Sequence, residues 1–173
     1  ENNLLKDSVS SAIFSNDGEA VILNKNYTKG LLLKGYFNND FKSLNIVKNN
    51  LFYGNKELKE NSISIGKHLS FNLNLDIGDK VTLMSPSGVK TIVGSLPKQE
   101  IFIVTSIFDS GLADFNENIA YINLKSLESF FDKKSKFRFL EYYFNNPQTI
   151  NQYKKELLNI HKNELVYTWA DLN

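Results

Sequence analysis

The chain has 173 residues, 42% hydrophobic and 23% charged, which is ordinary globular composition and enough for one sizeable core or two small subdomains. Its net charge is +1 and its lysines are interleaved with acids, as in Lys56–Glu60 and Lys154–Glu156, so it lacks the basic stripe that a phosphate backbone demands and argues against nucleic acid as a partner. It contains no cysteine, which removes disulfides, thiolate metal sites and a cysteine nucleophile.

The chain opens at Glu1 and has no apolar run long enough for a membrane span, so the expectation is an extramembrane domain excised from a longer protein, without signal peptide or membrane helix. Residues 1–11 read as a helix end or a connector. Ala12 to Leu23 predicts two short strands about an Asn16-Asp17-Gly18 turn. Lys29 to Gly35 is a short apolar strand. Asp40 to Leu51 predicts a helix with Phe41, Leu44 and Val47 on one face, and Gly54 interrupts the pattern. Ser62 to Ile65 reads as a strand entering a short helix at Lys67 to Phe71, and Asp76-Ile77-Gly78-Asp79 as a turn.

Two strand-like runs follow, Lys80 to Met84 and Ile101 to Ile107, around a connector of about 15 residues, where hairpin loops mostly run two to five. The connector includes Pro86, Ser87, Gly88, Val89, Lys90, Thr91, Ile92, Val93, Gly94, Ser95, Leu96 and Pro97. Its prolines fix φ at each end and its glycines permit turns, while Val89, Ile92, Val93 and Leu96 make it apolar with a single charge at Lys90. Such a segment is disordered, folded back on its own domain, or a protruding hook whose apolar tip enters a partner's cavity. In the last case each buried side chain contributes about 1.5–3 kcal/mol before ordering costs.

Beyond it, Ile119 to Ile122 reads as a strand. A helix with Asn123 as N-cap and Leu124, Leu127, Phe130 and Phe131 as its apolar face follows. Lys136 to Phe144 is strand-like and aromatic-rich. Asn146-Pro147 opens a last helix with Ile150, Tyr153, Leu157 and Ile160 on one side, and Leu165 to Trp169 returns as a final strand. The element order implies an α+β domain in which two β-α-β units flank a mostly β insertion.

Catalytic signatures are missing. His68 and His161 belong to no metal-ligand pattern, and neither a GxSxG elbow nor a GxxxxGK[ST] loop occurs. Asp109, Asp114 and Glu117 read as solvated caps of a turn rather than a glycosidase-like pair. Lys133, Lys134, Lys136 and Arg138 read as a solvated turn between helix and strand, with contact to anionic headgroups as the alternative. The expectation is a non-catalytic domain with no metal and no cofactor.

The order Gly78-Asp79-Lys80-Val81-Thr82-Leu83, then Gly94-Ser95-Leu96-Pro97-Lys98-Gln99, then the run SIFDSGLADFNENIAYINL at 106–124 resembles the periplasmic domain of the LolC/LolE permease family. These are the membrane subunits of the lipoprotein-releasing ABC transporter. Ile65-Gly66-Lys67-His68-Leu69 with Leu75 and Gly78-Asp79, and Trp169-Ala170-Asp171-Leu172-Asn173, extend the likeness, which runs from Leu31 onward. The resemblance implies a single α+β domain over 1–173 with a MacB-like periplasmic core. Residues of approximately 1–60 and 115–173 would form its porter-like and sabre-like parts, a porter-like α/β subdomain with a β-rich sabre-like insertion, and 80–107 a β-hairpin hook with its stems. It implies a periplasmic location on an inner-membrane protein of a Gram-negative bacterium. The implied partners are the soluble lipoprotein carrier LolA, a partner permease subunit, a LolD-type ATPase on a separate chain, and lipoprotein substrates. The residues from Pro86 to Pro97 match the family's carrier-recruiting hook. Thr82, Gln99 and Glu100 match the pad beside it, although Thr82 and Glu100 replace expected arginines. Asn116 stands where the family often has Asp, and Ile92 where a proline occurs. The alternative is a MacB-like mechanotransmission or efflux domain that contacts an adaptor protein.

Overall fold

The computed structural model describes residues 7–25, 27–92, 94–146, 148, 150–168 and 171, and the chain forms two compact units, Glu1–Ile13 with Leu140–Asn173, and Phe14–Phe139.

The larger unit is built on strands β1 (Val9–Asn24, from Phe14 onward in this unit), β2 (Tyr27–Tyr36), β3 (Phe52–Gly54), β4 (Ser62–Gly66), β5 (Lys80–Thr91), β6 (Gly94–Phe108) and β7 (Ile119–Asn123). Strand neighbours run β2-β7-β4-β6-β5-β1, and β1 pairs back onto β2, so six strands close into a ring. Closure removes the exposed edges that an open sheet of these strands would present. Period-two alternation then fills the inside. Ala20 and Ile22, Leu31 and Leu33, Ile63 and Ile65, Val81 and Leu83, Phe102 and Val104, and Ala120 and Ile122 all belong to one buried cluster. Leu69 and Leu73 of helix α3 (Lys67–Leu73) and Leu127 and Phe130 of helix α5 (Leu124–Phe131) join it, α3 and α5 each presenting one apolar face.

A second layer is aromatic. Between Ile63↔Val104 and Ser64↔Ser106 the β4–β6 register slips by one, leaving Thr105 as an extra residue. This bulge reverses the facing of β6, so Ile107 packs on the inner cluster while Phe108 turns to Tyr121 at 5.1 Å. Tyr121 also meets Phe41 at 5.6 Å and Tyr36 at 5.9 Å, and Phe41 lies 6.1 Å from Phe52. Phe41 is supplied by α1 (Asn38–Ser43), with α2 (Asn45–Lys48) close behind. The single predicted helix over 40–51 is thus two short ones, because Leu44 between them is extended at ψ 139°. The predicted facing survives the break: Phe41, Leu44 and Val47 are all buried.

Two strand predictions are corrected in this unit. Ala12 to Leu23 is one continuous strand, with Asn16↔Gly35, Asp17↔Lys34 and Gly18↔Leu33 in unbroken register with β2. The chain turns later, at Lys25 with φ 51°, next to the Asn24↔Tyr27 pair. Gly18 serves contact rather than turning, for a Cβ there would lie 2.7–2.9 Å from the ring of Phe131. The strand predicted from Lys136 starts later than expected: a 3-10 turn covers Ser135–Phe137, and β8 (Phe139–Phe144) begins only after Arg138.

The smaller unit combines the start of β1 with β8 and helix α6 (Ile150–Ile160). Asn145 N donates to Ser8 O at 2.9 Å and Ser10 Oγ to Tyr143 O at 2.9 Å. Phe144 and Tyr153 stack at 5.2 Å with a 10° interplanar angle, while Tyr153 OH accepts from Ser8 Oγ at 2.8 Å. Leu157 is the buried member of the predicted helix stripe, and Ile160 is exposed. Pro147 lies outside the described residues. The predicted strand from Leu165 does not form over residues 165–168, where Asp171 folds back to accept from Thr168 N at 2.7 Å and from Thr168 Oγ1 at 2.8 Å. Trp169, Ala170, Leu172 and Asn173 lie outside the described residues.

Candidate functional site

The connector is neither a coil nor a loop folded back: β5 and β6 pair on both sides of one register shift between Ser85 and Val89. Among the described residues the pairing of β5 with β1 covers Thr82, Leu83 and Met84, and beyond Ser85 β5 and β6 are each other's ladder partner. The distal pairs are Val89↔Leu96, Lys90↔Ser95 and Thr91↔Gly94. The β6 arm limits the reach, since Ser85↔Lys98 and Thr91↔Gly94 are four residues apart on that strand, and at about 3.3 Å each the hairpin extends roughly 13 Å. Val93 and the side chains of Ser87, Val89, Lys90, Thr91 and Ser95 lie outside the described residues.

The tip breaks the usual chemistry of tight hairpins. Two-residue turns favour Asn-Gly or Gly-X, because the central residues take positive φ. Here Ile92 follows Thr91 of the last pair, Thr91↔Gly94, without a positive φ, and Gly94 has φ 123°. Ile92 is fully exposed at 106% of its reference area, and Leu96, Pro86 and Pro97 are exposed as well. At that exposure the Ile92 side chain buries no apolar area within the domain. Gly88 has the opposite logic from the turn role predicted for it: its φ is not positive, but a Cβ would fall on the carbonyl of Leu96, so only glycine permits the strands to close there.

The predicted pad divides between two faces. Across the β5–β6 ladder Thr82 stands opposite Ile101 and Met84 opposite Gln99, and these four share the outer face. Gln99 Nε2 reaches Met84 Sδ at 3.8 Å, and Ile101 is 63% exposed. Val21 and Leu23 of β1, opposite Met84 and Thr82, extend this face and make it largely apolar. Glu100 stands opposite the buried Leu83, on the other face, where it takes an ion pair from Lys98 at 2.8 Å. It lines a polar cleft of about 360 Å³ with Glu60, Lys125, Ser126 and Ser129.

The motif before the hook is scaffolding. Gly66 lets β4 turn into α3 against α4 (Ala113–Asn118), since a Cβ there would strike the backbone of Asn116. Leu69 and Leu75 are buried, Gly78 has φ 101°, and Asp79 Oδ2 accepts from Asp76 N at 2.8 Å, which closes the turn that launches β5. Asn116 is buried and donates from Nδ2 to Asp109 Oδ1 at 2.7 Å, while its Oδ1 accepts from Ser110 N at 2.8 Å and Ser110 Oγ at 2.7 Å. The departure from Asp is therefore a donor facing a carboxylate. Asp109 is held below the usual carboxylate range by the Gly111 N–H, then by Asn116 and Lys67.

Glu117, Arg138 and Lys133 all have structural partners. Glu117 pairs with Lys29 at 2.7 Å, which lowers its pKa. Arg138 holds Glu128 through Nε at 2.6 Å and Nη2 at 2.8 Å and lies 5.1 Å over the Phe37 ring. Lys133 donates to Asn16 Oδ1 at 3.3 Å and to the carbonyl of Asp17. The basic run thus ties α5 and its exit to β1. His161 Nε2 bonds Tyr142 OH at 2.9 Å, and His68 is exposed on α3. Among the described residues no group of three or more His, Asp or Glu side chains is placed to hold a metal, and no helix is long and apolar enough to cross a membrane.

Similar folds occur in transporter domains. The chain matches a domain of a putative permease from Porphyromonas gingivalis with TM-score 0.51 and 13% identity, over 94% of this chain and 68% of that one. It matches the extracellular domain of the noncanonic ABC-type transporter YknZ from Gram-positive bacteria with TM-score 0.55 and 12% identity, over 91% and 79%. The periplasmic region of MacB from Actinobacillus actinomycetemcomitans matches with TM-score 0.55 and 11% identity, over 90% and 69%. The fold is therefore that of MacB-like periplasmic domains, as the resemblance implied. No protein-family model matches the chain. In sequence it is 29% identical over 69 residues to the lipoprotein-releasing system transmembrane protein LolC of Xylella fastidiosa, in strains Temecula1 and 9a5c. That match covers 40% of this chain and 17% of the length of those relatives. In fold the chain is thus similar to MacB-like periplasmic domains, and over 69 of its residues it is similar in sequence to LolC.

Proposed function

We propose that this chain is the periplasmic domain of a permease subunit in a lipoprotein-releasing ABC transporter of an inner membrane, and that its hook recruits the soluble carrier LolA to receive lipoproteins bound for the outer membrane. The observation that carries the reading is Ile92, fully exposed at the tip of a paired hairpin where turn chemistry favours Asn or Gly. A cavity that accepts acyl chains accepts aliphatic side chains equally well, and Leu96 adds a second exposed aliphatic. The domain itself performs no chemistry in this reading. ATP is hydrolysed on a LolD-type subunit, and a partner permease subunit completes the membrane part.

The outer face beside the stem supports docking of a different character from a basic pad. Thr82, Met84, Gln99 and Ile101 offer apolar area and one amide, so the contact depends little on ionic strength. Calorimetry of the domain with the carrier of the same organism tests the proposal, with Ile92→Asp,Leu96→Asp beside the parent. Micromolar binding by the parent and at least about tenfold loss in the variant is expected, since burying one aliphatic is worth about 1.5–3 kcal/mol. Absence of binding by the parent overturns the carrier reading. The fold shared with MacB and YknZ favours, in that event, a mechanotransmission domain that contacts an adaptor protein.

A further inference from the structure

Where the hook leaves the ring, its ladder is interrupted. Ser85↔Lys98 is the last pair of the proximal ladder and Val89↔Leu96 the first of the distal one, so Pro86, Ser87 and Gly88 face Pro97 alone. Neither proline has an N–H to donate, and among the described residues no ladder pair spans the step between the two ladders. That geometry is an elbow. Gly88, pressed on the Leu96 carbonyl, keeps the elbow closed but does not fix the bearing of what lies beyond it.

Lys98 sits on the ring side of this elbow, directly after Pro97. Its Nζ donates to Ser129 O at 2.8 Å and pairs with Glu100 at 2.8 Å. Ser129 lies in the last turn of α5, where carbonyls lack intrahelical donors and a cation is favoured by the helix dipole. The other donor to that carbonyl is Asp132 N at a long 3.4 Å. α5 is fixed in turn by Leu124, Leu127 and Phe130, all buried, and by the Ser126 Oγ bond to Glu60 O at 2.6 Å.

We propose that Lys98 is the positioning residue of the hook: it staples the last proximal rung to the C-terminal end of α5, and so sets the direction in which the hairpin leaves the ring. Glu100 aims the ammonium at the Ser129 carbonyl. This gives the inward-facing Glu100, misplaced for a docking pad, a mechanical role. Use of the staple in carrier recruitment rests on the reading above, whereas the staple itself does not.

The chain has no cysteine, so spin labels at Ile92→Cys and Lys59→Cys report the tip-to-body distance in the whole domain by pulsed electron resonance. Lys98→Gln is expected to widen the distance distribution about twofold as the rung at the base of the elbow loses its anchor on α5. Lys98→Arg, which still reaches the carbonyl, is expected to restore the parent width, and Glu100→Gln to fall between. Lys90→Gln, beyond the elbow, serves as control and should leave the width unchanged. A Lys98→Gln distribution that superimposes on the parent overturns the proposal, as does equal widening by Lys90→Gln. Loss of carrier binding by Ile92→Asp with no response to Lys98→Gln would keep the docking reading and refute only the staple; a widened distribution in a domain that binds no carrier would do the reverse.

Discussion

Replacing Gly18 with valine separates two explanations of one glycine. If residues 16–18 formed a turn, Gly18 would be needed for its backbone. In the structure it lies mid-strand opposite Leu33 with no positive φ, and the ring of Phe131 occupies the place of its side chain, with Cε2, Cζ and Cδ2 at 2.7, 2.8 and 2.9 Å from a Cβ. The valine forces that ring away from Phe130, 4.9 Å off, and from Lys133 Nζ at 5.8 Å. Overpacking of this kind costs about 1–3 kcal/mol, and removing a glycine from a strand returns about 0.5–1 kcal/mol, so Gly18→Val should destabilise by about 1–2 kcal/mol. In a Phe131→Ala background the steric cost vanishes and the same substitution should stabilise by about 0.5–1 kcal/mol. Urea unfolding of the four proteins, followed by far-ultraviolet dichroism, gives the cycle directly. A cost of equal size in both backgrounds would refute the reasoning, because it would show a backbone requirement independent of the ring.

Asn116→Asp should lower the urea midpoint at pH 7 by setting a second carboxylate against Asp109, and the deficit relative to the parent should narrow as pH falls below about 4, where the introduced carboxyl is protonated and donates again. Asp171 is held down to about 2 by Lys154 and by the Thr168 N–H and hydroxyl, so its contribution is fully present above the ordinary carboxylate range and is lost as pH falls through about 2; amide exchange at Thr168 should accelerate over that window, and in Asp171→Asn it should not depend on pH there beyond the intrinsic rate. Arg138→Lys keeps the charge but loses the two-pronged bond to Glu128 and the stacking on Phe37, and should cost about 1 kcal/mol by thermal unfolding, an equal midpoint counting against the fork.

Local pattern was legible wherever one face of an element meets the core. Leu124, Leu127 and Phe130 were marked by spacing alone, and Asn123 proves to be the N-cap, its Oδ1 accepting from Lys125 N at 3.0 Å. The stems of the hairpin were legible for the same reason. What was hidden depends on contacts distant in sequence. Asn-Asp-Gly looks like a turn unless one knows that Phe131, far along the chain, lies over the glycine. The β4–β6 slip at Thr105 leaves no mark in composition, yet decides that Phe108 joins the aromatic layer. Ring closure was equally invisible, since it rests on β1 pairing with β2 and β5 at once across residues 21–23.

The pad shows why neighbours in sequence are poor guides to a docking surface on a sheet. Gln99 and Glu100 are adjacent, and strand alternation therefore sends them to opposite faces. An acid at 100 is wrong for a basic pad, but it is the right partner for Lys98, which in turn needs a carbonyl from a helix end. Alternation thus places the charge of position 100 at the root of the hook, and leaves the outer face to Met84, Ile101 and the aliphatics of β1. A hairpin roughly 13 Å long, rooted by both strands in a closed ring, turns a small angular freedom at its base into a few ångströms at Ile92. In the proposed docking, rigidity at the root and exposure at the tip act together: the ring and Lys98 hold the bearing, so that less orientational freedom has to be lost on burying the tip.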